Sequence, residues 1–115
     1  MNMKNVVNKI DFTLEILPKE YSLTITFGEG QPGNSALKNF DGKYQTGSIN
    51  NLLLGKGKSI KGKKLLISSI VTDANENTNH TSVTYTINGN EIKTFEDDVD
   101  TDNSSIYYTT TINFI

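Results

Sequence analysis

Apolar side chains recur at every second position through much of this chain, and that period commits it to strands. Ile10, Phe12, Leu14 and Ile16 alternate with Asp11, Thr13 and Glu15, and Tyr21, Leu23, Ile25 and Phe27 alternate with Ser22, Thr24 and Thr26. Val83, Tyr85 and Ile87 repeat the pattern against Thr84 and Thr86. Successive side chains of a strand point to opposite faces, so each stretch reads as a strand with one face buried. No run of roughly 10–15 residues carries the 3.6-residue period of a helix, which removes the crossover helix that a parallel α/β fold requires.

The order of these stretches defines an architecture. Residues 7–17 and 21–27 flank Pro18-Lys19-Glu20 and predict an antiparallel hairpin. Residues 28–42 are rich in turn signals, with Ser35 to Phe40 holding at most a short helical turn. In residues 43–54, Tyr44, Ile49 and Leu52-Leu53-Leu54 are apolar enough for a core, but Gly47 and Asn50-Asn51 break the alternation. Residues 64–72 predict a central strand: Leu65, Ile67 and Val71 share one parity and Leu66 and Ile70 the other, as in a strand buried on both faces or hidden in an assembly. Asn88-Gly89 is a hairpin turn signal, returning through residues 92–95. Ile106, Tyr108, Ile112 and Phe114 share one face of a final packed strand. Six to eight short strands predict an all-β fold: a small antiparallel two-sheet β-sandwich over residues 1–115 as one domain, with a partly closed β-barrel as the alternative.

Composition narrows the chemistry. There is no Cys, which removes disulfides, thiolate catalysis and thiolate metal sites. All 11 basic residues are Lys, so the guanidinium forks that read phosphate and carboxylate are missing, and a net charge of −2 argues against a general nucleic-acid binder. No stretch reads as a signal peptide or membrane span; cytoplasm is the simplest assignment, with secretion left open.

Counting reversals sorts the loops. With strands alternating up and down, residues 28–42, 73–80 and 96–105 share one end, gathering Glu29, Asp41, Asp73, Glu76, Glu96, Asp97, Asp98, Asp100 and Asp102. The opposite end gathers Lys19, Lys56, Lys58, Lys61, Lys63 and Lys64. Such polarity favours head-to-tail contact, with exposed strand edges assisting. Gly57-Lys58-Ser59 lacks the earlier glycine and the βαβ setting of a phosphate loop, so the lysine segment is a hydrated loop or a surface for an acidic protein end, phospholipid or polyanion.

The acidic segment has a second reading. Glu96, Asp97, Asp98, Asp100 and Asp102 place five of the 13 acidic residues in seven positions. Hard cations take several oxygen ligands from such loops, so Asp98, Asp100 and Asp102 are candidate Ca2+ ligands, with Asp73 and Asn75 supplementary. The stretch resembles the opening of an EF-hand calcium loop at three positions only. Asn103 stands where that loop needs glycine, and Thr109 where it needs its closing glutamate. Asp and Asn are also ordinary turn residues, and hydrated connections account for the same pattern. His80 is the only histidine; it cannot anchor a zinc site of the usual kind, though an isolated His among carboxylates binds metal weakly.

No enzyme is expected, because the acids crowd one segment rather than facing across a cleft, and no nucleophile elbow accompanies the many hydroxyls. Threonine ranks at Thr24 and Thr26, Thr84 and Thr86, and Thr109 and Thr111 suit outer sheet faces. The expected function is therefore protein contact or self-assembly, through Lys56, Lys58, Lys61 and Lys63 at one end and Asp97, Asp98, Asp100 and Asp102 at the other. The alternative is a calcium-dependent binding module recognising membrane, carbohydrate or protein.

Overall fold

In the computed structural model, which describes residues 3–75, 77–99 and 104–115, nine strands and a one-turn helix form among the described residues. The strands are β1 (Met3–Phe12), β2 (Glu20–Phe27), β3 (Gly33–Lys38), β4 (Tyr44–Gly47), β5 (Leu52–Lys56), β6 (Lys64–Thr72), β7 (His80–Ile87), β8 (Asn90–Asp98) and β9 (Ser105–Phe114); α1 is Gly57–Ile60. They build two sheets, ordered β1-β9-β6-β3-β4 and β5-β2-β7-β8. This is the expected two-sheet sandwich, open at the sheet edges rather than closed into a barrel.

The period-two pattern does what it implies. Leu65, Ile67, Val71, Ile106, Tyr108, Ile112 and Phe114 from one sheet meet Tyr21, Leu23, Ile25, Val83, Tyr85 and Ile87 from the other, all buried. Two tyrosine hydroxyls within this core are bonded, Tyr85 to Thr110 Oγ1 at 2.8 Å and Tyr108 to Thr81 Oγ1 at 2.9 Å. Burial pushes both phenols above their ordinary pKa near 10.0, against the hydrogen bonds to Thr110 and Thr81. Strand β6 is central, between β9 and β3. Its second face is not buried, however: Leu66 is exposed and Ile70 half-buried on the outer side. Threonines line the outer face of the β5-β2-β7-β8 sheet, where Thr24 pairs with Thr86, Thr26 with Thr84, and the Thr84 and Thr94 hydroxyls lie 2.8 Å apart.

Three local expectations are corrected. The first two strands form no hairpin, because β1 pairs in parallel with β9, from Met3↔Ser105 to Phe12↔Phe114, while β2 belongs to the other sheet. β1 therefore ends where β9 ends; beyond Leu14, whose N–H donates to Ile115 O at 2.8 Å, the chain crosses between sheets and leaves Ile16 fully exposed. Second, β3 is a strand and no helical turn: Ser35 and Leu37 point inward, and the Ser35 hydroxyl is satisfied by Ser69 Oγ at 2.7 Å. Third, the lysine segment is built rather than loose. Ile60 is completely buried, Gly57 N–H donates to Lys19 O at 3.0 Å, and Gly62 N–H donates to Phe114 O at 2.7 Å.

The predicted Asn88-Gly89 hairpin joins β7 to β8, with φ of 52° and 81° at the two turn residues. Asn88 also fastens the turn to β2, accepting from Ser22 N–H at 2.9 Å and donating to Glu20 O at 3.0 Å.

Candidate functional site

The two charged ends are real, although their membership shifts. β2 runs toward the end where Gly28 N–H meets Ser82 O, and β7, β8 and β9 place His80, Asp98 and Ser105 there. Residues 33–56 cross the sandwich three times, as β3, β4 and β5, where one crossing was expected. An odd number of crossings preserves the up-down count, so the lysine segment still falls opposite the acidic one. Asp41 is corrected to the lysine end, in the turn between β3 and β4, where its carboxylate accepts from Lys43 N–H at 2.9 Å.

At the acidic end a buried amide organises three chain segments. Gln31, 4% exposed, donates from Nε2 to Asp73 Oδ1 at 2.7 Å and to Thr78 O and His80 O at 3.2 Å. Its Oε1 accepts from Ala74 N–H and Asn75 N–H at 2.8 Å. Asn75 in turn donates from Nδ2 to Glu29 O at 2.8 Å and accepts from Asn77 N–H at 3.0 Å. Glu29 and Gly30 occupy left-handed backbone, φ 60° and 66°, in a turn closed by Gln31 N–H donating to Gly28 O at 3.2 Å. A non-glycine residue pays for that conformation, so the Gln31 and Asn75 bonds hold Glu29 in place.

These contacts relocate the predicted ligands. Asp73 is 1% exposed and serves the Gln31 hub, and the Asn75 amide is engaged on both atoms, so each acts as a structural group in the fold. Asp100 and Asp102, like Glu76, lie outside the described residues. Glu96, Asp97 and Asp98 belong to β8 and not to a loop. Asp97 is tied to Lys4 Nζ at 2.7 Å, bridging an edge strand of each sheet.

His80, expected on a loop, opens β7 opposite Asp98. Its Nδ1 lies 2.6 Å from Asp98 Oδ1 and its Nε2 3.3 Å from Glu96 Oε1. The hydrogen bonds to Asp98 and then Glu96 raise its pKa above the ordinary 6.5. Glu29 completes a cluster: ligand atoms of Glu29, His80 and Glu96 all lie within 4.8 Å of one another. This cluster is capable of coordinating a metal ion. Neither Glu29 nor Glu96 stood among the predicted ligands, because the register of β7 against β8 and the Gln31 hub, neither of them local in sequence, bring them to His80.

The opposite end presents Lys56, Lys58, Lys61 and Lys63, all exposed, with Lys63 Nζ 5.7 Å from the centre of the Phe40 ring. Glu15, Glu20 and Asp41 intersperse these lysines, and Lys19 pairs with Glu15 at 3.2 Å. Beside them is a cleft of about 390 Å³ lined by residues 15–20 and 56–58, Glu15 and Glu20 included. Ile16 and Leu17 are 103% and 74% exposed.

The molecule is thus a compact β structure with exposed strands, charged ends and a metal-capable triad. Among the described residues no helix is long and apolar enough to cross a membrane. Compared with known proteins, the chain matches no family model and no curated sequence.

Proposed function

We propose that this chain is a non-enzymatic protein-contact domain that associates end to end, the lysine end of one copy receiving the acidic end of the next. The observation that carries this reading is the cleft at the lysine end, where two exposed apolar side chains sit in a charged lining of three lysines and two glutamates. Stable contacts are built as an apolar anchor inside a polar border. Ile16 and Leu17 supply the anchor, each worth about 1.5–3 kcal/mol when fully removed from water. Lys56 and Lys58 orient an acidic partner and accelerate encounter, and their attraction to it adds enough to a weak apolar anchor that screening or removing them dissolves the contact. The acidic end supports the pairing, since Glu29, Glu96 and Asp98 are exposed at the other end of a body 46 Å long and only 24 by 20 Å across.

A contact between unlike ends is heterologous, so it grows into open chains unless its rotation closes a ring. Light scattering across protein concentration at low salt should show growth beyond the monomer, reversed by about 0.5 M salt. I16S/L17S should abolish it at low salt. A wild-type chain that remains monomeric throughout the series contradicts the proposal. The calcium-dependent alternative is less supported, because Asp73 and Asn75 are committed to the fold and Asp98 to His80.

A further inference from the structure

We infer that Glu29, His80 and Glu96 form a binding site for a borderline divalent transition-metal ion of the zinc class, with Asp98 orienting the imidazole from behind. This site lies within the acidic end of the proposed contact and shares Glu29, Glu96 and Asp98 with it, but metal binding is read on the single chain whether or not copies associate, and the site differs in ligands and metal from the calcium reading.

Four features carry it. First, Asp98 Oδ1 lies 2.6 Å from Nδ1, so in the neutral imidazole the Nδ1 proton goes to Asp98 and the Nε2 lone pair faces outward. Metal-bound histidines are held in this way, by a carboxylate on the nitrogen that does not bind the metal. Second, in that neutral form Nε2 faces the Glu96 carboxylate at 3.3 Å, two lone-pair donors in opposition that a proton or a cation between them joins. Third, the spacing suits a small ion. Ligands about 2.0–2.1 Å from a tetrahedral centre lie about 3.3–3.4 Å from each other; His80 Nε2 and Glu96 Oε1 already stand 3.3 Å apart, and the Glu29 carboxylate is within 4.8 Å of both. Fourth, the ligands rest on a rigid base. Gln31 bonds the His80 carbonyl, Asn75 bonds the Glu29 carbonyl, and Glu96 lies on the β8 ladder.

The donor set selects the metal class. One imidazole and two carboxylates suit zinc, nickel or cobalt(II), whereas calcium takes six to eight oxygens at about 2.3–2.6 Å and gains nothing from an imidazole. The three protein ligands leave room for solvent to complete the coordination. Asp98, a candidate calcium ligand by sequence, is here a positioning residue.

Isothermal titration of the full chain with Zn2+ near neutral pH tests the site directly. One ion per folded chain is expected, with binding lost in H80A and weakened about tenfold or more in E29Q and in E96Q. D98N should keep the stoichiometry, weaken binding about 10- to 100-fold, and change the imidazole tautomer seen by ¹⁵N NMR. In the wild type, the ¹⁵N signal perturbed by diamagnetic Zn2+ should be Nε2. The exposed, near-isosteric E29Q and E96Q changes decide the matter if H80A does not fold. Absence of saturable Zn2+ binding overturns the inference, as does binding indifferent to E29Q and E96Q, coordination through Nδ1, or displacement of Zn2+ by equimolar Ca2+.

Discussion

Gln31 organises the acidic end, with five hydrogen bonds to Asp73, Ala74, Asn75, Thr78 and His80. Q31A removes all five and leaves the Ala74 and Asn75 N–H groups without this acceptor. A buried polar group deprived of its partner costs about 1–3 kcal/mol, so urea unfolding should show a loss of about 2–4 kcal/mol, and zinc affinity should fall with it. A loss below about 0.5 kcal/mol contradicts the hub. Nothing in Gln31-Pro32-Gly33 announces this role, since a turn-like tripeptide reads the same whether its amide faces water or a buried carboxylate. The core tyrosines give a second residue-scale test. The folded-state pKa of Tyr85 is raised by burial, so the unfolded chain ionises first as pH climbs past about 10. Stability contributed below that pH is therefore lost as pH rises through the folded value. Urea midpoints measured from about pH 8 to about pH 11 should fall in the wild type and fall less in Y85F. Y85F should also cost about 0.5–1.5 kcal/mol at neutral pH through its lost bond to Thr110.

At the scale of elements, legibility followed locality. β9, the body of β7 and residues 92–95 of β8 are readable because their alternation and the Asn88-Gly89 turn are properties of adjacent residues, whereas the continuation of β8 through Asp98 comes from its pairing with His80, Thr81 and Ser82. β3 was not, because Gly33, Asn34 and Ser35 carry turn propensity, and only pairing with β4 and β6 makes them a strand. The parallel partnership of β1 with β9 was equally invisible, since alternation carries no record of strand direction or of a partner about a hundred residues away. Glycine at position 33 has a packing reason: a Cβ there would come within 2.5–2.7 Å of three Phe27 ring carbons. G33A should therefore cost about 1–3 kcal/mol as the ring is displaced, measurable by thermal unfolding. Stability unchanged in G33A contradicts that close approach.

Across the whole molecule, the sandwich is elongated and its two ends are unlike in charge. Reversal counting located both ends even though it missed two strands, because the omission was even. It could not locate Ile16 and Leu17 on the surface, since alternation alone carries Ile16 into the core and only the termination of the β1–β9 ladder releases it. Nor could it show that Glu15 and Glu20 dilute the lysine end. The central claim of complementary ends is tested most directly by mixing two variants, each disabled at one end, in chelator-treated buffer. K56Q/K58Q keeps the acidic end and E96Q/D98N keeps the lysine end. Sedimentation should find each variant monomeric alone and the equimolar mixture forming a dimer that grows no further. Variants that each associate alone as the wild type does, or a mixture that stays monomeric while the wild type associates, would contradict complementary ends as the basis of contact.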